Sequence, residues 1–246
     1  QEMILSESVA ERRQALDRLL PIQKEDFRGI FKAMKGLPVT VRLLDPPMHE
    51  FLPTASQLEL EIAHLHHLRD TIKGLEELPE TLKLLNPKLY QQYADGLVKL
   101  MDGLNTFKGS HLEEDVIHKK EKVLKKVRAL SEVNPMLGHR GVRLGITYPE
   151  IYSMQIQAIL EAAAQCAREG VEAHPEIMVP QVATVEELRR IHGYVQRLHK
   201  VVELTHGINV RYKFGSMLEV VRACMRAHRM AEIAEFFSFG TNDLTQ

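Results

Sequence analysis

One stretch decides the fold of this chain: Glu235-Phe236-Phe237-Ser238-Phe239-Gly240-Thr241-Asn242-Asp243-Leu244-Thr245-Gln246. The apolar run 236–239 is typical of a short, fully buried strand. A glycine ends this run, and a hydroxyl, an amide and a carboxylate follow at once. In α/β barrels the carboxyl ends of the strands carry the chemistry, and a carboxylate there suits Mg²⁺, which prefers oxygen ligands. Gly-Thr-Asn-Asp is also ordinary turn chemistry, so this stretch alone leaves both interpretations open.

A second carboxylate lies in a similar setting upstream, in Lys213-Phe214-Gly215-Ser216-Met217-Leu218-Glu219-Val220. The sequence predicts a strand over 208–214, then a Gly-Ser turn, and a helix that begins at Glu219. Right-handed crossovers between parallel strands bring consecutive strand ends side by side. Glu219 and Asp243 are therefore predicted to be neighbours, and two carboxylates at adjacent strand ends can share one Mg²⁺ ion.

Arg42 is the third candidate residue, because it lies inside an apolar strand predicted over 39–44. A cation in such a strand needs an anionic partner. That partner is either a nearby acid such as Asp45 or a phosphate or carboxylate of a ligand, which the planar guanidinium matches well. The residues alone leave both interpretations open.

The remaining pattern alternates helices with strands. Residues 3–34 predict two helices separated by Pro21. Strands are predicted at 39–44, 142–146, 177–179, 208–214 and 236–239, and Gln181 follows the third of them. This alternation favours the α/β class, with a parallel sheet closed as a (β/α)8 TIM-type barrel. A closed barrel needs eight strands, so we expect a barrel that is incomplete at both ends.

The central part of the chain is predicted to be a separate helical subdomain. Helices are predicted over 55–72, 75–85, 87–101 and 112–130 from their apolar spacing. Residues 53–132 are therefore expected to form a helical subdomain, with the barrel built from 1–52 and 133–246. His64, His66 and His67 are spaced so that they do not converge on one helix face, which favours an exposed face over a metal site.

Composition limits the classes of partner and the compartment. The 246 residues carry a net charge of −1, which gives no general case for a nucleic-acid or anionic-membrane partner. No run is long enough for a membrane span, and the first residues lack a signal peptide's basic start. Cys166 and Cys224 are expected to be buried free thiols. We expect a soluble cytoplasmic protein, with organellar import left open.

Four motifs resemble one enzyme family. Gly215–Glu219 (Gly-Ser-Met-Leu-Glu) and Phe236–Gln246 are similar to the phosphoenolpyruvate- and pyruvate-binding barrel in the C-terminal part of the PEP-utilising enzymes. Val39–Phe51 (Val-Thr-Val-Arg-Leu-Leu-Asp-Pro-Pro-Met-His-Glu-Phe) and Asn134–Gly145 (Asn-Pro-Met-Leu-Gly-His-Arg-Gly-Val-Arg-Leu-Gly) narrow the resemblance to the dikinase branch. It covers most of the chain apart from about half of the central helical stretch 53–132, which the resemblance therefore implies to be a helical insertion.

The resemblance implies a ligand and a set of site residues. The barrel would bind pyruvate or phosphoenolpyruvate with Mg²⁺, which Glu219 and Asp243 would hold. Arg42 and Arg140 would be catalytic and would neutralise the transferred phosphoryl group, and Arg143 would be a structural ion-pair partner. The implied substrate-binding residues are Arg42, Glu219, Gly240, Thr241, Asn242 and Asp243. The family pattern has Pro where this chain has Val221, which we expect to be harmless in the first turn of a helix.

The resemblance also implies partners and an overall reaction. A phosphohistidine swivelling domain and an ATP-binding domain of the same full-length chain would pass the phosphoryl group to this barrel. The full enzyme would convert pyruvate, ATP and phosphate to phosphoenolpyruvate, AMP and diphosphate, as a homodimer, and this stretch alone would have little turnover. Its catalytic cysteine would lie on a later strand, since neither Cys166 nor Cys224 is at a strand end.

Alternatives stay open at this point. PEP synthase and the first enzyme of the bacterial sugar phosphotransferase system share the Gly240–Gln246 motif, although the Leu-Asp-Pro-Pro-Met-His-Glu-Phe run favours a dikinase. A non-catalytic scaffold with a decayed barrel is the alternative outside the family.

Overall fold

The computed structural model describes residues 2–6, 8–45, 52–108, 112–130 and 138–245. The chain divides into two compact units, one formed by 1–50 with 132–246 and the other by 51–131. Residues 46–51 and 134–137, which belong to two of the motifs above, lie outside the described residues.

The first unit is built on a parallel sheet. Its strands, in the order β1-β2-β3-β4, are β1 (Pro38–Arg42), β2 (His174–Val179), β3 (Lys213–Leu218) and β4 (Phe236–Phe239). Arg42 pairs with Met178, Val179 with Ser216, and Leu218 with Phe239, so the carboxyl ends of all four strands follow one edge. This sheet is part of an α/β barrel, which confirms the predicted fold class.

Helices connect and cover these strands. Those of the first unit are α1 (Glu2–Leu5), α2 (Val9–Ala33), α6 (Gly141–Thr147), α7 (Pro149–Arg168), α8 (Val185–His206), α9 (Val221–Met225), α10 (Ala227–Met230) and α11 (Thr241–Leu244). The core lies between the sheet and the central helix α7, where Ile156, Ile159, Ile177 and Phe214 have no exposed surface. Burial of such side chains stabilises each by roughly 1.5–3 kcal/mol.

Helix α2 is continuous, so the prediction of two helices separated by Pro21 was wrong. Proline in a helix interior removes one backbone hydrogen bond, yet both halves of α2 are fastened to α7. Arg12 pairs with Glu150 at 2.5 Å before the proline, and Lys24 pairs with Glu161 at 3.1 Å after it. Packing against a neighbouring helix therefore overrides the local break.

Two predicted strands also differ from the structure. Residues 142–146 lie in α6 and not in a strand, although Val142 and Leu144 are buried as the alternating pattern suggested. The strand predicted over 208–214 begins at Lys213, and it continues through Ser216 to Leu218. Ser216 is buried and pairs with Val179 and Phe237, so it lies inside the sheet and not in a turn.

The cysteine prediction is half right. Cys166 is a buried free thiol, but Cys224 is free and exposed. Within the described ranges, no helix combines the length and the apolar content that a membrane crossing requires.

The second unit contains three helices: α3 (Ala55–Leu85), α4 (Pro87–Lys108) and α5 (Leu112–Leu130). Thr54 and Gln57 form a capping box that begins α3. The two helices predicted over 55–72 and 75–85 are this one helix, which continues through Pro79. Helices α3 and α5 are joined by Lys120–Glu61 at 2.5 Å and Arg128–Glu59 at 2.7 Å. That this unit is an insertion stays a prediction.

The end of β1 is anchored by two side chains of α7. The Tyr152 hydroxyl donates to the carbonyl oxygen of Leu44 at 3.0 Å, and the Leu44 N–H donates to Gln155 Oε1 at 2.8 Å. Burial raises the pKa of the Tyr152 hydroxyl well above its usual value. These bonds fix the backbone that carries Asp45.

We expect Tyr152→Phe to lower the free energy of unfolding by about 1–2 kcal/mol, because it leaves a buried carbonyl without its donor. Urea unfolding would measure the change. Tyr194→Phe is the matched control, since the Tyr194 hydroxyl accepts a hydrogen bond from the exposed Arg190 at 3.2 Å. Equal losses in the two variants would contradict the anchoring role.

Candidate active site

Four chain segments meet at the carboxyl edge of the sheet. Asp45 follows β1, Gln181 follows β2, Glu219 follows β3 directly, and Asp243 lies in α11 just after β4. Because all four strands are parallel, their carboxyl ends share one edge, which is where barrel enzymes place their chemistry. The polar side chains of this edge form the candidate site.

Glu219 and Asp243 lie together, as the sequence predicted. The Asp243 carboxyl lies close enough to that of Glu219 to contribute to the raised pKa of Glu219. The backbone N–H of Gln181 donates to Glu219 Oε1 at 2.6 Å, and its side-chain Nε2 donates to Asp243 Oδ2 at 3.1 Å. We call Glu219 and Asp243 the acid pair. Their roles as metal ligands stay predictions.

The acid pair favours a bound proton. Glu219 is 3% exposed, and burial, the largest cause, raises its pKa to about 7. The Gln181 N–H opposes this shift, whereas the hydrogen bond to Asp243 and the charges of Asp45 and Asp243 add to it. Two adjacent carboxyls cannot both ionise cheaply in a buried site.

Gly240 allows the chain after β4 to approach Glu219. Its N–H donates to the Leu218 carbonyl at 3.0 Å. A Cβ atom at position 240 would lie 2.5 Å from Glu219 Cβ and 2.8 Å from its Oε2, closer than real contacts allow. Glycine is therefore required at position 240 for α11 to place Asp243 next to Glu219.

Two arginines share the buried carboxylate of Asp45. Arg140 binds it with two hydrogen bonds, Nε to Oδ1 at 3.1 Å and Nη2 to Oδ2 at 2.7 Å. The Arg42 guanidinium lies 3.4 Å from the same Oδ2. The Asp45 side chain is 2% exposed, that of Arg140 17% and that of Arg42 46%. The bond to Asp45 is the largest of the causes that raise the pKa of Arg140.

Arg140 lies at the start of a helix and not next to a strand. Arg140 comes just before the strand predicted over 142–146, but the structure places it as the N-cap of helix α6. Nη1 of Arg143 donates to the Gly138 carbonyl at 2.7 Å, and its ion-pair role stays a prediction.

The other predicted residues lie at the same edge. Thr241 and Asn242 are exposed in α11, and the Thr245 hydroxyl donates to the Asn242 carbonyl at 2.9 Å. Their binding roles stay predictions. Gln181 was placed after a strand but was given no role. A polar residue directly after a buried strand is the signal that could have found it.

We expect the unfolding free energy to fall between about pH 5 and pH 8 in EDTA, because native Glu219 holds its proton up to about pH 7. The unfolded carboxyl releases it near its ordinary value of 4.5. The native state binds more protons in this window, so rising pH removes stability, by about 2 kcal/mol. Urea unfolding at several pH values measures this loss. Glu219→Gln should flatten the dependence, and parallel curves for the two proteins would refute the assignment.

A matched pair of arginine variants tests which guanidinium holds Asp45. Arg140→Met should lower the unfolding free energy by about 3 kcal/mol, because it leaves a buried carboxylate poorly paired. Arg42→Met should cost less than about 1 kcal/mol, because its contact is longer and half exposed. Urea unfolding at one pH compares them, and the reverse order would show that Arg42 is the structural partner.

Comparisons with known proteins show the family to which this chain belongs. The family described as "PEP-utilising enzyme, PEP-binding domain" matches residues 2–246. The chain is 46% identical over 246 residues to a pyruvate, phosphate dikinase of Entamoeba histolytica, 45% over 245 residues to one of Giardia intestinalis, and 41% over 245 residues to pyruvate, phosphate dikinase 2 of Oryza sativa subsp. japonica. Each match covers 100% of this chain but 22–23% of the relative. The chain thus spans less than a quarter of these relatives, and it belongs to the PEP-utilising enzyme family, as a PEP-binding domain similar to that of the pyruvate, phosphate dikinases.

Proposed function

We propose that the carboxyl edge of the sheet binds pyruvate or phosphoenolpyruvate together with Mg²⁺ and exchanges a phosphoryl group with a phosphohistidine domain of the same full-length chain. The observation that carries this proposal is the convergence of the acid pair and two guanidinium groups on one edge. The names of the relatives support a dikinase over PEP synthase or a sugar-phosphotransferase protein. The intact pair also argues against a decayed scaffold.

The charge of the site supports a divalent cation. Three carboxyl groups, of Asp45, Glu219 and Asp243, face two guanidinium groups. With the acid pair ionised, this set is net negative and would repel an anionic substrate. A divalent ion on Glu219 and Asp243 would reverse the sign, and oxygen donors are what Mg²⁺ prefers. The residues therefore fit the metal.

Mg²⁺ held there would supply a Lewis acid for the carboxylate and the keto or enol oxygen of the substrate. The protein's own part is to hold that cation and to lose the proton of the acid pair, which the metal replaces. Because Glu219 has a pKa of about 7, this proton leaves at little cost near neutral pH.

The arginines would bind the transferred phosphoryl group. Arg42 is half exposed and uses one contact on Asp45, so most of its donors are available to an anion. Arg140 is held in a fixed orientation by its two bonds to Asp45. Guanidinium groups fixed in advance stabilise charge that develops on a phosphoryl group in flight. Asn242 and the backbone at Gly240 and Thr241 would donate to the substrate's oxygens.

The partners follow from the length of the relatives. Since this chain matches 22–23% of them, the phosphohistidine and ATP-binding domains would belong to other parts of the full-length chain. The overall reaction would form phosphoenolpyruvate, AMP and diphosphate from pyruvate, ATP and phosphate. A homodimer in the cytoplasm is part of the proposal, although relatives from Oryza sativa and Arabidopsis thaliana are named chloroplastic.

Oxalate, a planar mimic of enolpyruvate, tests this proposal by calorimetry on the full-length protein. Oxalate should bind only with Mg²⁺, and Glu219→Ala and Asp243→Asn should weaken binding by roughly 100-fold or more, because each removes a metal ligand. Glu172→Ala is the control, since its side chain is 69% exposed and pairs with His174. Binding of oxalate without Mg²⁺, or unchanged binding in Glu219→Ala, would refute the proposal.

A further inference from the structure

Gln181 has an unusual backbone for its residue type. Its φ is +59°, the one positive value at a non-glycine position among the described residues. Side chains with a Cβ atom rarely adopt this conformation, and such residues persist where the surroundings determine them. Gln181 is also 3% exposed. A buried and strained polar residue two positions after a strand therefore needs a physical explanation.

Gln181 donates hydrogen bonds to both members of the acid pair, one from its backbone N–H and one from its side-chain amide. The backbone N–H binds Glu219 Oε1 at 2.6 Å, and the side-chain amide binds Asp243 Oδ2 at 3.1 Å. One residue therefore bridges acids that lie 24 positions apart in the chain, on different strand ends. Glu219 Oε2 and Asp243 Oδ1 lie outside these two bonds.

The opposite side of Gln181 is fixed by the segment that follows Arg140. A Cβ atom at Gly141 would lie 2.7 Å from Gln181 Cβ, so the two backbones are in close contact. The Val142 N–H donates to the Pro180 carbonyl at 3.1 Å. The residues that follow Arg140 thus pack against the backbone of Gln181 on one side, and Gln181 binds the acid pair on the other.

We propose that Gln181 is a positioning residue that fixes one oxygen of each acid and thereby sets the affinity of the pair for a divalent cation. This inference rests on the proposed function for the identity of the cation site. This role differs from that of a residue that only links the two acids structurally. A tether would change stability alone, whereas a positioning residue changes metal affinity.

Gln181→Met tests the amide contact, because methionine has a similar length and keeps the backbone N–H but lacks the donor to Asp243. We expect the dissociation constant for Mn²⁺, titrated by electron paramagnetic resonance on the full-length protein, to rise about tenfold. The Mg²⁺ concentration for half-maximal rate should rise by the same factor.

Gln181→Gly separates the amide from the backbone strain. It keeps the N–H donor and relieves the positive φ, but it removes the side chain. We expect the same loss of Mn²⁺ affinity as in Gln181→Met, although the melting temperatures of the two metal-free variants should differ. Affinity that follows the amide and not the stability supports the positioning role.

Gln157→Met is the matched control. Gln157 Nε2 donates to Glu161 Oε1 at 2.7 Å within α7, so this variant loses an amide–carboxylate bond outside the strand ends. Its Mn²⁺ affinity should equal that of the wild type. If Gln181→Met lowers the melting temperature but leaves Mn²⁺ affinity unchanged, Gln181 is a structural tether and the proposal is wrong. Mn²⁺ binding that is unaffected by Glu219→Gln overturns the proposed metal site, and this proposal with it.

Discussion

The buried carboxylate of Asp45 is the group on which the carboxyl edge depends. The carboxylate accepts two hydrogen bonds from Arg140 and has a longer contact with Arg42. The backbone carbonyl of Asp45 accepts a hydrogen bond from the Gly141 N–H at 3.3 Å. A buried carboxylate is stable only when it is paired and hydrogen-bonded. The need to satisfy Asp45 therefore brings the end of β1 and the start of α6 together. It also fixes the orientation of the Arg140 guanidinium before any ligand arrives.

The same edge contains a second, less complete charge arrangement. Glu219 and Asp243 have the donors of Gln181 as partners, and burial raises the pKa of Glu219, but no guanidinium is bonded to them in the described contacts. One acid of the edge is thus paired with cations, and the other two are not. This division separates a part that keeps its shape from a part that, under the proposed function, would hold a cation.

Sequence alone could predict the acid pair, since Glu219 and Asp243 each follow a recognisable apolar strand. It could not predict that residues 142–146 form a helix, because Val142, Leu144 and Ile146 alternate as in a strand and short apolar runs are ambiguous. Contacts with residues distant in the sequence favour the helix, such as the hydrogen bond from the Val142 N–H to the Pro180 carbonyl. Gln181 is harder still, since its role depends on a backbone angle that glutamine seldom adopts.

Gly240 has a consequence for how this chain can vary among organisms. Every amino acid other than glycine places a carbon atom within 2.5 Å of Glu219 Cβ. Neighbouring positions such as Thr241 and Asn242 are exposed and have room for other side chains. Geometry alone therefore requires glycine at position 240, whatever chemistry the edge performs, and we expect substitutions in this loop to occur at the positions around it.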